Sequence, residues 1–165
     1  VEIRLLDEQG QSVPPGKIGE IHVRGPNVFQ GYLNCPEANL TVFRDGWFAT
    51  GDMGRLSEDG YLEIVGRLKE LIISGGYNVY PNEVEQAIQR LPGVVEVAVI
   101  GVPDADLGET VQAVIVLEKD INWEVKELTK ACRHHLAPYK IPKTFRFCEK
   151  LPRNAMGKIQ KHLLY

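Results

Sequence analysis

A chain of 165 residues with 19 Lys and Arg against 22 Asp and Glu, a net charge of -3 and a pI near 5.8 is ordinary globular material, enough for one domain or one and a piece. The basic residues are spread along the chain and not gathered in runs, which excludes the electrostatic footprint of a nucleic-acid or anionic-membrane binder. Cys35, Cys132 and Cys148 are odd in number and lack C-x-x-C spacing, so neither a disulfide framework nor a zinc site is indicated, and a reducing compartment fits best.

The first 68 or so residues read as short strands and turns without an obvious helix. Val1 to Leu6 and Ile18 to Arg24 are strand-like, separated by Gln9-Gly10 and Pro14-Pro15-Gly16. Asp59-Gly60, flanked by Met53 to Ser57 and Tyr61 to Val65, is a hairpin signal that Gly66-Arg67 closes. From about Lys69 the pattern becomes mixed, starting with Leu71, Ile72 and Ile73 running into Ser74-Gly75-Gly76, so a domain boundary is expected there. Pro81 stands at a first helical position, and Val84, Ala87, Ile88 and Leu91 share one helical face before Pro92-Gly93 ends it. Val94 to Val102 and Thr110 to Glu118 are nearly continuous apolar, β-branched runs, the pattern of strands covered on both faces. Asn122 is the expected cap of a second helix whose Val125, Leu128, Cys132 and Leu136 align before Pro138. Phe145 and Phe147 alternate with polar neighbours as an edge strand. Residues 69–165 therefore read as a small α+β domain of helices against one sheet. No stretch is apolar and long enough to span a bilayer. The absence of an initiator Met and the start in mid-strand point to a fragment boundary at Val1.

Three segments carry residues suited to nucleotide chemistry: Gly46-Trp-Phe-Ala-Thr-Gly-Asp52, Gly66-Arg-Leu-Lys-Glu-Leu-Ile-Ile-Ser-Gly-Gly-Tyr-Asn78 and Pro152-Arg-Asn-Ala-Met-Gly-Lys158. After its Thr-Gly turn, Asp52 reads either as a turn aspartate bonded to its own backbone or as a carboxylate accepting two hydroxyls of a ribose. Arg67 reads as a solvated arginine or as a planar fork for ribose or phosphate oxygens. Lys158, in a glycine-containing loop, is either a surface lysine or a point charge that a mobile loop brings to a reacting phosphate. Ser74-Gly75-Gly76 is a plain turn or a place where a slender ligand approaches the backbone. His134 and His135 are sequence neighbours on a helix and point apart, which argues against a shared metal.

The order and spacing of these segments resemble the last three signature motifs of the adenylate-forming superfamily, in its acyl-CoA synthetase branch. The resemblance runs over essentially the whole chain. It implies that residues 1–68 are the last β-subdomain of a large AMP-binding domain and that residues 69–165 are its mobile C-terminal domain. It implies that Asp52 and Arg67 bind the nucleotide, that Lys158 contacts the carboxylate and the α-phosphate during adenylate formation, and that Lys69 is the hinge. It also implies that Gly75, Gly76 and Tyr77 line the path of the CoA pantetheine arm.

The substrates so implied are a small-molecule carboxylate, ATP with Mg2+ and CoA, with the metal ligands in the missing N-terminal domain together with the phosphate loop. By itself the chain is then half an active site. Ser-Gly-Gly-Tyr-Asn-Val-Tyr-Pro and Leu-Pro-Arg-Asn-Ala-Met-Gly-Lys look most like malonyl-CoA synthetases. An intracellular enzyme, of cytoplasm or mitochondrial matrix, is the matching expectation. Two other readings stand beside it: an adenylation domain that loads a carrier protein, and a stand-alone binding module without catalysis.

Overall fold

A computed structural model describes residues 1–165, which separate into two compact units, Val1–Lys69 and Glu70–Tyr165. The first unit is built on an antiparallel sheet of β1 (Glu2–Leu6), β2 (Ile18–Arg24), β3 (Phe43–Arg44), β4 (Trp47–Leu56) and β5 (Leu62–Arg67). Its order is β1-β2-β4-β3, with β5 also on β4. The Asp59-Gly60 hairpin forms as expected, with Leu56 opposite Leu62 and the Ser57 N–H donating to the Tyr61 carbonyl. β4 is longer than the sequence pattern indicated, because it starts at Trp47 and serves three neighbours.

The expectation of no helix in this region is corrected by α1 (Pro36–Val42). It buries none of its residues, so it leaves no apolar periodicity to read. Its remaining signals were Pro36 in the first turn and Glu37 behind it. Asn39 secures it, accepting the Tyr32 N–H at 2.7 Å and donating to the Tyr32 carbonyl at 2.9 Å.

The second unit places β6 (Ile72–Ser74), β7 (Tyr77–Val79), β8 (Val94–Asp104), β9 (Gly108–Leu117) and β10 (Thr144–Phe147) in one sheet, antiparallel except that β10 runs parallel to β9 at the edge. Both faces are covered. Val97, Val99, Val111, Ala113 and Ile115 meet Val84, Ala87 and Ile88 of α2 (Pro81–Gln89) and Leu128 and Cys132 of α3 (Val125–Cys132). The alternate residues Ala98, Ile100, Val114 and Val116 meet Leu151, Ile159 and Leu164 of the C-terminal segment. Covering a period-2 strand on both sides is why β8 and β9 read as unbroken apolar runs. Ile88 and Ile115 are fully buried, and each such side chain contributes about 1.5–3 kcal/mol of burial free energy.

Two expectations about α3 change. Its N-cap is Glu124, in a capping box with Glu127, and not Asn122. It ends at Cys132, so His134 and His135 lie in the turn beyond it and Leu136 is buried from outside the helix. No helix of the chain is long and apolar enough to cross a membrane.

Candidate functional site

In the first unit, the ladder between β2 and β4 pairs Glu20 with Met53 and His22 with Ala49, so Thr50, Gly51 and Asp52 together oppose Ile21. The surplus residues bulge out of the strand. Gly51 takes φ +72°, a conformation that L side chains resist. Three side-chain bonds hold the bulge: Thr50 Oγ1 donates to the Ile21 carbonyl at 2.8 Å and accepts the Asp52 N–H at 3.0 Å, and Glu20 Oε1 accepts the Gly51 N–H at 3.2 Å.

The bulge presents Asp52 directly opposite Arg67 on β5. Arg67 Nε lies 2.8 Å from Asp52 Oδ1, and both side chains remain partly exposed. The structure thus brings together the two nucleotide candidates. A carboxylate and a guanidinium side by side offer acceptors for hydroxyls and donors for ribose or phosphate oxygens. At the start of β4, the Trp47 indole meets the guanidinium groups of Arg4 at 4.3 Å and Arg24 at 4.6 Å, while Arg24 also grips Glu2.

In the second unit, Gly75 and Gly76 form the two-residue turn between β6 and β7, at φ +56° and +81°, with Ser74 opposite Tyr77. Positive φ at both central residues is the signature of a type I′ hairpin turn. The Gly75 N–H donates to the Leu107 carbonyl at 3.0 Å, and a Cβ at Gly75 would sit 3.1 Å from the Leu107 side chain. At Gly76 such an atom meets nothing, so the turn presents open backbone there.

Tyr77 stacks on Tyr139 with ring centroids 4.7 Å apart and planes 24° from parallel, and both rings keep an exposed face. Beside them Lys140 Nζ is bound to both carboxylate oxygens of Glu83, at 2.7 and 2.6 Å. Tyr139 escaped the sequence reading because its partner is remote in the chain. Its only local signal is an aromatic residue after Pro138.

Lys158 stands apart on a turn of its own, exposed and without an ion pair. The turn is closed: Asn154 N–H donates to the Lys158 carbonyl at 2.9 Å, Gly157 N–H to the Asn154 carbonyl at 2.9 Å, and Arg153 pairs with Ile159. The turn is a hydrogen-bonded hairpin whose arms pack on the sheet. Burial pushes the Cys132 and Cys148 thiols up from their ordinary range, which suits packing and not nucleophilic chemistry.

Comparison with known proteins places this geometry. Residues 83–158 match the family described as AMP-binding enzyme C-terminal domain, and residues 1–33 match AMP-binding enzyme. A long-chain-fatty-acid–CoA ligase of Bacillus subtilis (strain 168) is 47% identical over 96% of this chain and 28% of its own length. ATP-bound MatB from Rhodopseudomonas palustris superposes with a TM-score of 0.92 at 49% identity, over 99% of this chain and 33% of MatB. The o-succinylbenzoate CoA synthetase MenE of Bacillus subtilis, in complex with ATP and magnesium, gives 0.91 at 42% identity over 99% of this chain and 33% of MenE. The chain therefore spans about a third of the length of the relatives it matches. With both families matched in order and relatives aligned along nearly the whole of this chain, the chain belongs to the adenylate-forming, AMP-binding enzyme family, as a C-terminal portion.

Proposed function

We propose that these residues serve an ATP-dependent, AMP-forming acyl-CoA synthetase, which joins a carboxylate to CoA through an acyl adenylate with release of pyrophosphate and AMP. The observation that carries the reading is the near-half identity, end to end, with ligases that form CoA thioesters. In this reading residues 1–68 complete the large AMP-binding domain and residues 69–165 are the mobile C-terminal domain, turning about Lys69.

Each candidate residue has a task that its setting supports. Asp52 accepts the ribose hydroxyls and Arg67 holds Asp52 in place while offering its remaining N–H groups to the nucleotide. Lys158, an exposed cation on a tied turn, neutralises charge as carboxylate and α-phosphate are brought together. The Gly75-Gly76 turn, open at Gly76, lets the pantetheine arm pass, with the Tyr77–Tyr139 stack as its apolar wall. In this reading magnesium would be held by residues of the N-terminal domain.

The acid is the part these residues do not choose. Relatives of similar identity are named for long-chain fatty acids and for o-succinylbenzoate. A lean toward malonate rests on the likeness of the Ser-Gly-Gly-Tyr and Gly-Lys segments and on MatB, a malonyl-CoA synthetase, among the structural neighbours. The test is AMP and pyrophosphate release by the complete polypeptide with ATP, CoA and a panel from malonate to long-chain and aromatic acids. CoA-dependent AMP release with one acid is expected. Pyrophosphate exchange without CoA turnover would instead support transfer to a carrier protein. Tight ATP or CoA binding by residues 1–165 alone would support a stand-alone binding module.

A further inference from the structure

The chain on either side of Lys158 is tied at more points than a surface turn requires. Leu151, Ile159 and Leu164 are pressed on the sheet's second face, and Gln160 N–H donates to the Pro152 carbonyl at 2.8 Å, so both arms of the hairpin are anchored. Within the turn one atom stands out. Asn154 Oδ1 accepts the N–H of Met156 at 3.0 Å and the N–H of Lys158 itself at 2.9 Å. A single side-chain oxygen thus binds the backbone from which the Lys158 side chain springs.

Arg153 adds an outer brace. One guanidinium nitrogen donates to the Gly157 carbonyl, immediately before Lys158, and another to the Glu96 carboxylate on β8. Three residues beyond Lys158, Lys161 Nζ reaches Glu70 at 3.1 Å and Glu85 at 2.7 Å, and Glu85 in turn accepts the Val99 N–H at 2.8 Å. The turn is therefore fastened to β8, to α2 and to the first residue after Lys69.

A lysine carries its charge on four rotatable carbons, and its head reaches one place reliably only when its Cα is held. We propose that Asn154 is a positioning residue for Lys158, fixing the Lys158 backbone through its side-chain oxygen while Arg153 braces the same turn against Glu96. The proposal rests on the role given to Lys158 in adenylate formation.

The experiment uses the full-length enzyme and the acid that gives the strongest CoA-dependent AMP release. ATP–pyrophosphate exchange reports adenylation, and CoA thioester formation from supplied acyl adenylate reports the second half-reaction. Asn154→Ala is expected to lower kcat of exchange roughly ten- to hundredfold, the scale of an ångström-level misplacement, with thioester formation within about twofold of wild type. Asn154→Asp keeps an oxygen that accepts both N–H groups and is expected to recover most of the loss. Equal loss in both half-reactions, unimpaired exchange in Asn154→Ala, or no recovery with Asp overturns the positioning role. If Asn154→Ala does not accumulate as folded protein, Asn154→Leu, which keeps the bulk and removes the acceptor, is judged by the same criteria. Lys158→Ala is measured alongside: full exchange in that variant removes the Lys158 reading itself, whereas its loss with Asn154→Ala unaffected removes only the present inference.

Discussion

At the scale of single residues, the chemistry proposed for this chain rests on three side chains with different degrees of support from their neighbours. Asp52 and Arg67 are locked in register on adjacent strands and paired at 2.8 Å. Lys158 has no such partner and faces solvent, as a cation waiting for an anionic substrate would. Lys158→Ala in the complete enzyme is expected to cost about 2.7–4 kcal/mol of transition-state stabilisation, a loss of roughly a hundred- to a thousandfold in adenylation. Thioester formation from supplied adenylate should be spared. Paired measurement of the two half-reactions checks this, and an intact first half-reaction would remove Lys158 from the mechanism.

The elements differ in how they were recognisable. α2 announced itself through Pro81 and an apolar stripe, and Val84, Ala87 and Ile88 are indeed buried. α1 has no buried stripe and was missed, and α3 was assigned the wrong cap because a Glu can act as an N-cap when its capping-box partner is present. The short 3-10 turn Leu68–Glu70, with Lys69 exposed at its centre, joins the last strand of one unit to the first of the other. If Lys69 is the hinge, fixing its φ should restrict the chain to one arrangement. Lys69→Pro is expected to leave ATP–pyrophosphate exchange within a few-fold of wild type and to slow thioester formation by roughly tenfold or more. Stopped-flow measurement of the second half-reaction decides it, and undiminished thioester formation would refute the hinge.

For the whole molecule, the two units are unequal in core. The second has helices on one face of its sheet and the C-terminal segment on the other, whereas the first buries only Leu5 and Ile21 among its large apolar side chains and leaves Leu33 and Leu40 exposed at 87% and 78%. A unit of that size with so little buried apolar surface is below what independent stability requires. Residues 70–165 expressed alone are therefore expected to unfold cooperatively on heating, and residues 1–69 alone are not. Calorimetry of the two pieces tests this, and a cooperative transition in residues 1–69 would contradict it.

By itself the sequence determined the α+β class, most strands of both sheets though not β3 or the first half of β4, the hairpin at Asp59-Gly60 and the order of the three motif segments. These depend on side-chain periodicity and turn chemistry, which act over a few residues. Only the tertiary structure decided that Asp52 faces Arg67, that Tyr139 stacks on Tyr77 and that Arg153 reaches Glu96. Each of these contacts depends on strand register or on segments distant in the chain. A one-residue slip in register would have turned the same side chains to the opposite face, and nothing in local propensity forbids it.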